Sequence, residues 1–308
     1  MKKIIALILT GILMICALAS CGNTEKNITV VVREQGSGTR EAFDKVVTDG
    51  THFLEEKDTN DKKVYNTTTT AIQQTKTGTV LSSVASDKNA IGYISLGSVD
   101  DSIHVIKVNG VAPSEETVLS GEYKIQRPFV IMTKAGQTLT NRTADFMSYL
   151  KSAASKEHSE AAGCIFLEDA SKRANEGDTP IEVIAYQKQS TLPAGDKIII
   201  RGSTSMEKFI TAAAKGYADL YGANAEDIFD IQLEGSSVGR KAVEDDTTGN
   251  VIGLSSAAVD QDNIDSFNVC LDAVAVIVNK ENTTITDLTL AQLYNIFSGK
   301  ITKFSEIQ

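Results

Sequence analysis

The sequence predicts an α/β protein of two lobes, each a sheet flanked by helices, joined by two chain crossings. Three observations carry that expectation. A β-branched run (Ile28, Val30, Val31, Val32) ends at Arg33, turns through Gly36-Ser37-Gly38-Thr39, and enters a helical pattern with Phe43, Val46 and Val47 on one side. The same design returns at Lys197–Arg201, which runs into Gly202-Ser203-Thr204-Ser205. A helix follows there, with Met206, Phe209, Ile210, Ala213, Tyr217, Leu220 and Tyr221 at helical spacing. Finally, Asn250–Ser256 echoes Asn89–Ser95 as N-x-I-G-x-x-S. Alternating strands and helices build parallel sheets whose loops gather at the strand C-termini, and ligands bind there. Two such units place the ligand between them.

The first turn is chemically specific. A strand, a small-residue turn and a helix start aim several free backbone N–H groups at one point, and the helix dipole adds positive potential there. Ser37 and Thr39 add hydroxyl donors, and Arg33 adds a two-pronged cation suited to phosphate or carboxylate. A phosphate-binding loop of the nucleotide type needs Gly-Lys-Ser/Thr, whereas Thr39-Arg40 follows Gly38, and the third glycine of a dinucleotide fingerprint is missing. A capped helix after a turn is the plain alternative for one such motif. A second turn at Gly202–Ser205 and a third at Gly235-Ser236-Ser237-Val238-Gly239 turn the balance toward a shared small oxyanion.

The chain opens with Met1-Lys2-Lys3, an apolar run from Ile4 to Leu18, and Leu18-Ala19-Ser20-Cys21. Residues 1–20 read as an export signal, too short to span a membrane comfortably. A Cys at the position after the cut resembles a lipoprotein signal, so Cys21 is expected to carry lipid and residues 21–27 to form a polar tether. Composition is ordinary for a globular protein, with 42% hydrophobic and 23% charged residues. The net charge of −10 argues against nucleic acid or an anionic membrane surface as partner. A buried site for a small anion is governed by local donors instead. Cys164 and Cys270 remain as two thiols, read as buried and unpaired rather than as a disulfide. His52, His104 and His158 lack metal-ligand spacing, so neither a metal nor a cofactor is expected.

Along the chain, Val64–Ser83 reads as a strand and then a helix from about Thr69. Asn89–Leu96 is a buried strand, Ile103–Val108 a short one, and Tyr123–Lys134 an extended apolar run in which Pro128 discourages helix. Arg142–Ala154 is an amphipathic helix. Ser171–Ala194, polar and holding Pro180 and Pro193, reads as a linker. Asp272–Asn279 is another buried strand, and Thr289–Ser298 an amphipathic helix.

These residues resemble the phosphate-binding proteins of ABC uptake systems, which have the type II periplasmic-binding-protein fold. The matching blocks are Val32–Arg40, Gly202–Ser205, Gly235–Ser237 with Lys241-Ala242-Val243, Asn250–Ser256, Ala275–Asn279, Leu288–Leu290 and Ile296–Thr302. In that family the Gly202-type block comes first and the Arg33-type block last, so the order here looks circularly permuted, which a fold with neighbouring termini tolerates. The permuted order assigns one lobe to residues 128–272 and the other to 28–127 plus 273–308, with Pro128–Thr133 and Asp272–Asn279 as crossings. The resemblance implies a non-enzymatic receptor at the outer face of the cell membrane that delivers inorganic phosphate to an ABC permease and ATPase complex. It further implies that Arg33 pairs with the anion as the only full positive charge in the cleft. Ser37, Gly38 and Thr39 would donate from the first turn, Thr204 and Ser205 from the second, and Ser236 from the third. Some members carry Asp at the position of Ser256, which accepts the phosphate proton, so selectivity over sulfate is expected to be weaker here.

Two rival readings remain at this point. A sensor or adhesin on the same fold is indistinguishable by sequence. Gly235–Gly239 also satisfies the G-x-S-x-G pattern of a serine hydrolase, but such enzymes carry their His after the nucleophile, and no His follows Ser237.

Overall fold

The computed structural model describes residues 27–307; the expected signal, Cys21 and most of the tether lie outside them. Its centre is a ten-stranded sheet. On one side run β11 (Phe229–Leu233), β10 (Ile198–Gly202) and β12 (Val251–Ser255), and on the other β5 (Ala90–Ser95), β1 (Thr29–Arg33) and β4 (Ile72–Gln74). Both outer groups are parallel. Between them lie β8 (Gln126–Lys134) and the 16-residue β13 (Ile264–Asn279), antiparallel to each other and to their outer neighbours.

β13 is the strand that makes one sheet of two lobes. It pairs with β8 from Ile264 to Ala273 and with β5 from Val274 to Val278, so it changes partner between Ala273 and Val274. On β8 the chain crosses just before the apolar run. Tyr123 and Ile125 pack in one hydrophobic cluster and Phe129 and Ile131 in the other.

Both faces of β1 and β10, inside their groups, are covered, which explains why these strands read as continuous apolar runs. On β1, Val30 and Val32 face α1 (Gly38–Asp44) and α9 (Leu290–Phe297), while Val31 faces α2 (Thr77–Ser86). On β10, Ile198 and Ile200 face α4 (Asn141–Lys151) and α6 (Glu207–Leu220), while Ile199 faces α8 (Ser236–Glu244).

Several expected boundaries change, among them the strand anticipated at Asp272–Asn279, which already begins at Ile264. The helix anticipated from Thr69 begins at Thr77, and Ile72–Gln74 is instead a strand on β1. Thr68 Oγ1 accepts from the Thr70 N–H at 3.4 Å, one of the local bonds by which Thr competes with helix formation. The helix expected to reach Ala154 stops at Lys151, where Ser152 Oγ accepts from the Ala154 N–H and opens α5 (Ala154–Ala161). The expected linker, Ser171–Ala194, is a strap along one lobe rather than a bridge between two. Ile181, Tyr186 and Leu192 pack on the cluster around Phe146, and the Tyr186 hydroxyl donates to Asp145 at 2.6 Å. Cys164 and Cys270 are both buried and free, as expected.

Candidate functional site

Four strand ends meet at the centre of the molecule, and each delivers one small-residue turn. β1 delivers Arg33–Thr39, β10 delivers Gly202–Ser205, β11 delivers Gly235-Ser236, and β12 delivers Ser256. All eight residues singled out by sequence, Arg33, Ser37, Gly38, Thr39, Thr204, Ser205, Ser236 and Ser256, are buried there.

Arg33, 2% exposed, carries the charge. Its Nε and Nη2 donate to the two carboxylate oxygens of Glu34, each at 2.9 Å, and its Nη1 donates to Thr77 Oγ1 at 3.2 Å. The Arg33 carbonyl accepts from Arg40 Nη1 at 2.9 Å, and Arg40 is itself fixed by Asp44 at 2.9 Å. Burial pushes the Asp44 carboxyl up to about 6, against the opposing pull of Arg40. Arg40 is therefore engaged in fixing the turn backbone. Gly36 takes a φ of +89° to make the turn, and Ser37 caps α1 by accepting from the Arg40 N–H at 3.5 Å.

The turns touch across the lobes. Thr39 Oγ1 lies 3.0 Å from Ser205 Oγ, and the Ser237 N–H donates to the Gly36 carbonyl at 3.3 Å. Ser203 Oγ donates to Ser256 Oγ at 2.8 Å, and Ser236 Oγ lies 3.3 Å from the same atom while accepting from the Ser256 N–H. The third turn proves to be the first turn of α8, which starts at Ser236 after Gly235 at φ +129°.

Four partners escaped the sequence reading. Ser203 belongs to a motif already in view, and its cap of the following 3-10 turn is the signal that was available. Thr77, on α2, carries no such signal. Arg127 and Asp272 are 145 residues apart, and only the pairing of β8 with β13 brings them together. Arg127 donates to Asp272 at 2.8 and 3.0 Å and to the Ser256 carbonyl at 3.4 Å, while Ser95 Oγ holds the other Asp272 oxygen at 2.8 Å. Arg33 is thus not alone: besides Arg40, the buried guanidinium of Arg127 backs the site. Burial pushes Asp272 above and Arg127 below their ordinary values, and each opposes the shift of the other.

Ser237 sits in the first turn of α8. The histidines lie in other settings. His158 bonds Tyr149 in the aromatic cluster at 2.7 Å, His52 pairs with Glu56 on the surface, and His104 is on β6 (Ile103–Val105).

A family profile described as PBP superfamily domain matches residues 15–154 and 187–307. This chain belongs to the PBP superfamily. It is 34% identical over 318 residues to the phosphate-binding protein PstS 2 of Streptococcus pneumoniae serotype 4, covering 100% of this chain and 99% of that protein. To the PstS 2 of Streptococcus agalactiae serotype V it is 32% identical over 315 residues, covering 99% and 98%. A crystal structure of a phosphate ABC transporter phosphate-binding protein from S. pneumoniae TIGR4 superposes with a TM-score of 0.64 at 34% identity. That superposition covers 92% of this chain and 100% of the other.

Proposed function

We propose that this chain is an extracytoplasmic receptor that captures inorganic phosphate between its lobes and delivers it to an ABC permease and ATPase complex, held at the membrane by lipid on Cys21. The observation that supports it best is the convergence of the buried Arg33 guanidinium with hydroxyls from both sides of the sheet, in a chain similar along its length to proteins named PstS 2. Arg33 is the charged contact. Ser37, Gly38 and Thr39 donate from one lobe, taken as residues 28–127 with 273–308. Thr204, Ser205, Ser236 and Ser256 face them from the other, residues 128–272. Closure about β8 and β13 exchanges the water shell of phosphate for fixed donors, a hinge motion. The protein binds and releases without chemical change.

The test is thermal unfolding with and without phosphate. At a hundredfold excess over Kd, binding to the folded form adds about 2.7 kcal/mol, so the midpoint should rise by several degrees with phosphate and little with acetate. No shift at millimolar phosphate contradicts the proposal.

A further inference from the structure

Thr77 lies in the same hydroxyl network as the residues singled out by motif, although nothing in its sequence surroundings marks it. It opens α2, a ten-residue helix whose N-cap residue, Lys76, supplies no side-chain cap. The Thr77 N–H instead donates across the cleft to Thr204 Oγ1 at 3.2 Å. Its Oγ1 accepts from Arg33 Nη1 at 3.2 Å and lies 3.0 Å from Thr204 Oγ1 and 3.3 Å from Ser205 Oγ. Ser205 Oγ in turn meets Thr39 Oγ1 at 3.0 Å. Thr39, Ser205, Thr77 and Thr204 therefore form one unbroken line of buried hydroxyls, with the guanidinium fixed to its middle.

We infer that Thr77 is a further anion-binding residue, donating both its O–H and its N–H to the phosphate held by Arg33; this rests on the receptor reading above. A hydroxyl has one proton and two lone pairs. With Arg33 occupying one lone pair, the Thr77 proton has only neighbouring hydroxyls to serve, each of which has a proton of its own to place. An oxyanion between them accepts all these protons at once. The backbone N–H adds a donor at the positive end of α2. Access is visible as well. A cavity of about 960 Å³ opens between α2 and α6, lined on one side by Lys76, Gly78 and Thr79 and on the other by Thr204, Glu207 and Thr211. Of the four hydroxyl residues Thr204 lines that cavity, and Thr77 is buried between the lining residues Lys76 and Gly78.

The test is calorimetric titration with inorganic phosphate of the parent protein, Thr77→Val and Thr77→Ser. Valine keeps the β-branched shape and the N–H but loses the O–H. Charge-assisted hydrogen bonds contribute about 1.5–3 kcal/mol, so Thr77→Val should raise Kd by roughly ten- to a hundredfold. Thr77→Ser should stay within about threefold with little change in ligand-free melting, whereas Thr77→Val should also lower the ligand-free midpoint modestly, because Arg33 Nη1 loses a buried acceptor. A merely structural role would lower the midpoint with and without phosphate alike and leave affinity intact, so the affinity decides. If the parent binds phosphate and Thr77→Val binds within twofold of it, this inference is overturned while the receptor reading stands. If the parent gives no heat with phosphate, both fall together. Should Thr77→Val fail to fold, Thr77→Ala serves the same comparison, and unimpaired binding by it overturns the inference equally.

Discussion

Gly38 stands so close to Ser256 that a Cβ on it would lie 2.5 Å from the Ser256 carbonyl carbon and 2.6 Å from both Ser256 oxygens. The two residues belong to opposite sides of the cleft, and β1 and β12 are separated in the sheet by β8, β13 and β5. Their contact is a direct gauge of closure. The carbonyl cannot give way easily, because Arg127 Nη1 holds it from behind at 3.4 Å.

Gly38→Ala should therefore separate folding from binding. Without ligand the lobes can part about the hinge and relieve the clash, so ligand-free stability should change less than affinity. Overpacking at the closed interface costs about 1–3 kcal/mol, which weakens phosphate binding by roughly ten- to a hundredfold. Paired melting and titration experiments check this. An alanine variant with parental affinity would mean that the closed contact is not the binding-competent one.

Arg33→Ala should weaken phosphate binding more than removal of any single hydroxyl. Hydrogen bonds to a charged group contribute about 1.5–3 kcal/mol, against about 1 for neutral ones. The variant also leaves Glu34 without the partner that engages both its oxygens. Arg33→Lys should recover only part of the loss, because a point charge cannot serve Glu34, Thr77 and phosphate together. Titration of both variants decides it, and equal affinity of Arg33→Ala and the parent would move the site elsewhere.

Ser256 sets the expected selectivity. Its hydroxyl sits among Ser203 Oγ at 2.8 Å, Ser236 Oγ at 3.3 Å and the backbone of Gly38. Hydroxyls turn to donate as readily as to accept, so sulfate should displace phosphate measurably when present in large excess. Ser256→Asp has no space to occupy at the closed interface and should impair phosphate binding rather than sharpen it. A parent that ignores a thousandfold excess of sulfate, or an Asp variant that binds phosphate more tightly, contradicts this.

Asp44 should give stability a pH dependence. Its carboxyl titrates at about 6 in the folded protein, above the ordinary 3.8, chiefly because it is buried. The folded state thus holds this proton more tightly than the unfolded chain. The contribution is fully present below about pH 4 and is lost as pH rises through 6, a change of roughly 3 kcal/mol. Asp44→Asn removes the titration and can still accept from Arg40. Urea unfolding should show the Asn variant gaining on the parent between pH 4 and 6; a constant difference contradicts the assignment.

What the sequence made legible was whatever is local. The Arg33–Thr39 and Gly202–Ser205 turns carry their own strand, glycines and helix start, and both were placed within a residue or two. What it hid depends on strands meeting. Thr77 lies on a Thr-rich stretch whose β-branched residues favour neither strand nor helix clearly, and its bonds to Thr204 arise only because the fold brings α2 to that turn. Arg127 and Asp272 look like any charged residues in apolar runs until β8 and β13 bring them together. The strap at Ser171–Ala194 read as a linker because its polar residues outnumber the few, Ile181, Tyr186 and Leu192, that anchor it.

Calorimetric titration of the parent protein with inorganic phosphate at neutral pH decides whether this cleft is a phosphate site. A buried guanidinium with several hydroxyl and N–H donors predicts a single site of micromolar affinity or tighter, equivalent to about −8 kcal/mol or beyond. Absence of binding at millimolar phosphate would contradict the account.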